Sequence, residues 1–245
     1  MSAPRFALYF VPERTSALYA FGAALLGYDC YLGGEVAYPA DLAIDAADWT
    51  ALTQEPRRYG FHATIKAPFR LRPDRSEREL EEAVHAFAAA HAPLPPIDFE
   101  VRLLDGFVAL MQARPCDALD RLAADCVTAF DGFRAPLMPE ERARRHAAAL
   151  SPAQAENLER WGYPYVFGEF RWHMTLTGRL PDARRAAVLE LVGARFAALP
   201  GTRSAAIDRL ALVRQDDVGG RFRVVCNPRL NPDGEATLHE PDRCA

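Results

Sequence analysis

Phe61-His62-Ala63-Thr64-Ile65-Lys66 and Trp172-His173-Met174-Thr175-Leu176-Thr177 share one form: an aromatic residue, His, an apolar residue, Thr and a second apolar residue. Side chains alternate between faces in an extended segment, so His62, Thr64 and Lys66 face one way and Phe61, Ala63 and Ile65 the other. The second copy sets His173, Thr175 and Thr177 on one face and Trp172, Met174 and Leu176 on the opposite one. An imidazole and a hydroxyl two residues apart, above an apolar face, predict a polar cavity over a packed core. Two such strands predict a paired site.

Outward from these strands the chain repeats itself. After His62 come a helix over Ser76–His91, opened by the capping-box pair Ser76 and Glu79, then Pro93, Pro95 and Pro96, then a strand from Ile97. After His173 come a helix over Asp182–Leu199, then Pro200-Gly201, then a strand over Ala205–Val213 that holds Ile207. The His-to-Ile spacings are 35 and 34 residues, which implies a duplicated unit with both His strands at its centre. Further strands are expected at Phe6–Val11, at Ile97–Leu104 and Phe107–Gln112 joined by an Asp105-Gly106 hairpin, and at Arg221–Cys226. Helical spacing predicts Thr15–Leu26 capped by Gly27, Pro115–Phe130, Glu140–Leu150 and Ala153–Trp161. Tyr28–Pro56 reads mostly as loop with a short helix over Ala46–Leu52, and Pro68 is expected to end the first motif strand.

The 245 residues therefore form one domain of two lobes, approximately 1–114 and 115–228, either self-contained or exchanging a strand, with an irregular tail over 229–245. Half the residues are hydrophobic and the net charge is -4, which argues against a general nucleic-acid surface. Lys66 is the one lysine among 29 basic residues and falls on the expected His face. Five scattered cysteines without a C-x-x-C pair read as reduced thiols rather than a disulfide frame or a zinc site. The N-terminal apolar run stops at Pro12, too soon for a signal peptide, and no stretch is long enough to span a membrane, so the cytoplasm is the expected location and a monomer the expected state.

Histidine transfers protons in both directions near neutral pH. Two in one cavity divide the work: one takes a proton from an attacking hydroxyl or water, the other gives one to the departing oxygen. Thr64 and Thr175 can each donate a hydrogen bond to a phosphoryl oxygen, and Lys66 or an arginine can offset its charge. Arg134, in a loop between Phe133 and Pro136, is a candidate phosphate clamp, and Tyr165 and Thr177 are candidate substrate contacts. These parts fit metal-independent phosphodiester cleavage, since neither motif has carboxylate or Cys ligands beside its His. No cofactor is called for.

His62-Ala63-Thr64-Ile65 and His173-Met174-Thr175-Leu176 resemble the two H-x-T-x signatures of the two-histidine phosphoesterase superfamily, which includes RNA 2′-5′ ligase-like proteins and cyclic nucleotide phosphodiesterases. The resemblance implies a duplicated, bilobal α+β fold, two antiparallel sheets flanked by helices around a central cleft, with catalytic His62 and His173 and phosphate-binding Thr64 and Thr175. Arg58-Tyr59-Gly60-Phe61, Phe133-Arg134-Ala135-Pro136 and Trp161-Gly162-Tyr163-Pro164-Tyr165 are similar to a bacterial subgroup associated with phosphonate-utilisation operons. That likeness runs to about Pro228 and implies a small cyclic-phosphate substrate on a ribose, sugar or nucleotide. Two other readings stay open: an RNA-end or 2′-5′ oligonucleotide phosphoesterase or ligase, and a non-catalytic binder of a phosphorylated metabolite.

Overall fold

A computed structural model describes residues 3–146, 149–199, 201 and 203–231. The strands are β1 (Arg5–Phe10), β2 (Tyr28–Asp29), β3 (Gly34–Glu35), β4 (Ala63–Arg70), β5 (Ile97–Leu104), β6 (Phe107–Gln112), β7 (His173–Thr175), β8 (Ser204–Ala205), β9 (Ala211–Gln215) and β10 (Arg223–Cys226). The helices are α1 (Ala17–Leu26), α2 (Ala46–Arg57), α3 (Glu77–Ala90), α4 (Asp117–Ala129), α5 (Pro139–His146), α6 (Pro152–Trp161) and α7 (Asp182–Ala197). The fold is α+β: a large antiparallel sheet in the order β10-β9-β1-β4-β7-β6-β5-β8 and a small one, β2-β3, flanked by helices.

The large sheet is two four-strand blocks joined at one residue pair, Ala63↔Met174, between β4 and β7. Strands from the two parts of the chain interleave across it. β5, which follows the first motif, lies beside β6, and β9, which follows the second, lies beside β1. Ala205 on β8 and Ala211 on β9 stand six places apart in the strand order, which in a flat sheet is roughly 29 Å. Six residues reach at most roughly 22 Å, so the sheet is bent. Two blocks meeting at a bend reconcile one continuous strand order with the expected two sheets.

Local chemistry sets the elements. Ser76 and Glu79 close a capping box on α3, as Ser151 and Gln154 do on α6, and Gly27 takes the left-handed conformation that ends α1. Asp105 (φ 48°) and Gly106 (φ 91°) make the left-handed pair that a two-residue hairpin needs. Apolar side chains of one sheet face, among them Phe6, Leu8, Phe10, Met174 and Leu110, pack with Leu25, Leu80, Val84, Leu119, Val188 and Val192 of the helices. On the opposite face of β1, Ala7 and Tyr9 join a smaller cluster with Tyr28, Val213 and Phe222.

Several expectations need correction. The helix after the long loop runs past Leu52 to Arg57 with Pro56 in its last turn. Proline cannot donate back to Leu52, and the Gly178 N–H takes its place at 2.7 Å, tying α2 to the end of the second motif. Pro68 does not end its strand. It falls within a register shift between β4 and β1, where a bulge leaves a residue without a ladder partner. The strand expected over Ala205–Val213 is split, because β8 pairs with β5 and β9 with β1. The loop aromatics are anchors: Trp49 is fully buried and donates to the Leu25 carbonyl at 2.7 Å. Cys30, Cys126 and Cys226 are free thiols, but Cys116 is disulfide-bonded, against the reading of reduced thiols throughout. The tail is described only as far as residue 231, and most of it, with His239, lies outside the described residues. Among those residues no helix is long and apolar enough to cross a membrane.

Candidate active site

The Ala63↔Met174 pair organises the site. Both residues are fully buried in the core, so their neighbours on the same strands face the other way. In an antiparallel pair, one step to either side sets His62 beside Thr175 and Thr64 beside His173, all four on one face. The quartet is thus a direct product of two H-x-T strands running against each other.

Each histidine is oriented in the same manner. His62 Nδ1 lies 2.9 Å from the Gly60 carbonyl and His173 Nδ1 lies 2.7 Å from the Arg171 carbonyl, two residues earlier in each case. A carbonyl can only accept, so Nδ1 carries the hydrogen in both rings and Nε2 is the exchangeable nitrogen. His62 Nε2 accepts from the Thr64 hydroxyl at 3.1 Å. Gly60, with φ of 74°, supplies the left-handed turn that aims its carbonyl at His62. Gly22 on α1 leaves room for Phe61, since a Cβ there would overlap the Phe61 ring.

The surroundings of the two rings differ. Tyr9 stacks on His62 with centroids 3.8 Å apart, and Tyr59 stands 6.0 Å away. Burial pushes the His62 imidazole down to about 4; the Gly60 carbonyl opposes this and His173 adds to it. The nearest ring to His173 is Phe107, tilted at 5.8 Å, and burial lowers its imidazole too. Tyr9 is buried, its hydroxyl has no hydrogen-bond partner, and burial holds that phenol well above its ordinary range.

His62, Thr64 and Thr175 wall an open cleft of about 720 Å³. Tyr9, Tyr59 and Tyr163 give it aromatic surface, and Arg5, Arg58, Arg70 and Arg145 face it together with one carboxylate, Glu141. His173 flanks Thr64 across the β4–β7 pair rather than lining that wall. The arrangement can hold an anion, move protons at two nitrogens and donate from two hydroxyls.

Four expected substrate contacts are elsewhere. On β4, Thr64 pairs with Tyr9 of the cleft face, but Lys66 pairs with Leu8 of the core face, because a bulge at Ile65 inserts a residue between them. Lys66 is therefore 3% exposed, bound to the Val127 carbonyl at 3.0 Å and to Asp131 at 3.4 Å, and burial lowers its ammonium. Thr177 lies beyond the end of β7 and is fully buried; its hydroxyl accepts from Val108 N–H at 3.0 Å and donates to the Gly178 carbonyl at 2.9 Å. Arg134 is held by Asp131 at 2.8 Å and by the Arg160 carbonyl at 3.0 Å. Tyr165 is exposed and meets Tyr163 edge-on, outside the cleft wall. Sequence reasoning passed over Arg5, Tyr9, Arg58, Tyr59, Arg70 and Tyr163. The alternation Arg5, Ala7, Tyr9 against Phe6, Leu8, Phe10 was the signal available for two of them. Among the described residues one group with metal-ligand spacing occurs, Glu81, His85 and Cys226, and it includes neither motif histidine.

The chain is similar over 224 residues, at 38% identity, to the ribose 1,5-bisphosphate phosphokinase PhnN of Janthinobacterium sp. (strain Marseille), covering 90% of this chain and 49% of that protein. The protein of the same name from Laribacter hongkongensis (strain HLHK9) is 33% identical over 228 residues, covering 90% and 50%. The chain thus spans about half the length of the curated relatives it matches. Solved structures similar to it include TT0787 of Thermus thermophilus (15% identity, TM-score 0.43) and Escherichia coli LigT complexed with 3′-AMP (14%, TM-score 0.41), each covering 94% of this chain and 99% of the other. Residues 64–223, from Thr64 through both His173 and Thr175, match the family described as protein of unknown function DUF1045, and the chain belongs to that family.

Proposed function

We propose that the protein is a phosphodiesterase that opens a cyclic phosphate on a ribose, sugar or nucleotide by proton transfer at His62 and His173. The observation that carries this reading is the quartet His62, Thr64, His173 and Thr175 around one strand pair. Its likeness to the paired signatures of two-histidine phosphoesterases supports the same chemistry. The relatives' name, a phosphokinase of ribose 1,5-bisphosphate, supports a phosphorylated ribose, and the likeness to the subgroup associated with phosphonate-utilisation operons supports a place in phosphonate metabolism.

The environments of the two rings support one division of roles. His62, held neutral down to about 4 beneath Tyr9, is the general base. It takes a proton from water as the water oxygen bonds to phosphorus. His173, with the tilted Phe107 ring beside it rather than a stacked tyrosine, is the general acid and gives its Nε2 proton to the ester oxygen that leaves the ring. The products are a phosphate monoester and a free hydroxyl on the same molecule. Thr64 and Thr175 turn their hydroxyls to the two non-bridging oxygens, where charge builds up. No step requires a metal ion, and the enzyme acts as a cytoplasmic monomer.

The test is turnover of a ribose cyclic phosphate. His62→Ala and His173→Ala should each lower kcat by about 100- to 10,000-fold, and EDTA should leave wild-type activity intact. Undiminished turnover in either variant sinks the assignment.

A further inference from the structure

We infer that the cleft seats a second phosphate, a monoester about one pentose ring away from the cyclic phosphate, between Arg5 and Arg70. The inference rests on the cyclic-phosphate reading and narrows its substrate class to doubly phosphorylated sugars.

Arg5 and Arg70 stand directly opposite each other on β1 and β4, and both face the cleft. Like charges in that position destabilise a sheet, so an anion between them is the condition that would relieve the pair. The protein offsets it only in part. Arg70 is paired with Glu141 at 3.2 Å, whereas Arg5 is held by a neutral group, the Gln215 side-chain oxygen, at 2.8 Å. Gln215 is 1% exposed, and its amide nitrogen donates to the Gly220 carbonyl at 2.6 Å, so its oxygen is fixed toward Arg5. The guanidinium is thus positioned without losing its charge. Arg145 also faces the cleft, over the Tyr163 ring at 5.2 Å.

Charge and distance agree. A cyclic phosphodiester carries one negative charge, but Arg5, Arg58 and Arg70 alone exceed Glu141 by two. A phosphate monoester adds close to two negative charges at pH 7. Arg5 and Tyr9 are four residues apart on one strand, roughly 13 Å. Tyr9 pairs with Thr64 of the quartet. That span leaves room for a sugar between a phosphate held by the arginine pair and the phosphorus at the quartet.

The experiment compares kcat/KM for a ribose cyclic phosphate with and without a phosphate at the far end of the sugar. Wild type should prefer the doubly phosphorylated substrate by about 100-fold, and Arg5→Gln or Arg70→Gln should cut that ratio by about 10-fold or more. Equal turnover of the two substrates by wild type, or an unchanged ratio in both variants, overturns the inference while leaving the cyclic-phosphate reading intact. If wild type turns over neither substrate, the cyclic-phosphate reading fails, and calorimetry with ribose 5-phosphate decides the second seat. Binding at least about 10-fold weaker in Arg5→Gln supports it, and equal binding refutes it. Arg145→Gln, on a helix outside the sheet, serves the same comparison if the strand variants do not fold.

Discussion

Replacing Tyr9 by Leu should raise the pKa of His62. The Tyr9 ring covers the imidazole at 3.8 Å, and burial is the largest cause of the fall from 6.5 to about 4. That fall corresponds to about 3 kcal/mol of preference for the neutral ring. Leucine keeps an apolar side chain on β1 but opens one flank of the ring to water, so the titration midpoint should move up by at least about 1 pH unit. Tyr9→Phe keeps the stacked ring and should leave it unmoved. The assay is a proton NMR titration of the imidazole, with His62→Gln to assign the resonance. The same shift appears in stability. Between pH 6.5 and about 4 the unfolded chain takes up a proton that the folded chain refuses, so stability is lost as pH falls through that window. Screening at the open ring edge reduces the loss to about 2 kcal/mol. In catalysis, kcat/KM should peak on the acid side of 6.5, with its acid limb near 4 in wild type and at higher pH in Tyr9→Leu. A wild-type midpoint near 6.5, or one that Tyr9→Leu leaves in place, would refute the argument.

Further variants separate packing from chemistry. Thr177→Val keeps the shape but strands the Val108 N–H, and should cost about 1–3 kcal/mol in urea unfolding with little change in kcat/KM. A large loss of activity at unaltered stability would restore Thr177 to the substrate. Lys66→Met removes a buried charge while Asp131 keeps Arg134, so the expected cost is about 1–2 kcal/mol, and KM should not move. If KM rises tenfold, the bulge argument is wrong. Gly22→Ala forces the Phe61 ring away from α1 and should cost about 1–3 kcal/mol, with a drop in kcat because His62 follows Phe61. Wild-type kcat in that variant would show that the ring's seat does not set the motif's position.

What could be read in advance followed the periodicity of the chain. The H-x-T strands, the capping box on α3 and the Asp105-Gly106 hairpin are local, and each stands where its residues demand. Lys66 was misplaced because alternation assumes an unbroken pleat. One inserted residue, Ile65, reverses the face of Lys66 until the second shift at Ala67-Pro68 restores it, and only the partner strand reveals the insertion. Arg5 and Tyr9 were missed for a related reason. The alternation along β1 sets them on one face, but that this face meets the motifs depends on where β4 and β7 lie, which is a tertiary fact.

Two copies of one motif would by themselves make a site without direction, since each offers the same Nδ1–H anchor two residues back and the same threonine two residues on. Direction comes from what each copy packs against. The first sits beside β1, whose cleft face carries Tyr9 and, four residues earlier, Arg5. The second sits beside β6, and its nearest ring is Phe107, tilted at 5.8 Å. A stacked tyrosine on one imidazole and not on the other is sufficient to separate their proton affinities, and so to make one the base and the other the acid. In the proposed reading Arg5 on the same β1 face, with Arg70 opposite it on β4, then fixes which end of the substrate enters. Tyr9 and Arg5 therefore belong to one device: the strand that sets the base also sets the orientation of the sugar, and a substitution at Arg5 should alter which substrate is preferred without moving the His62 midpoint.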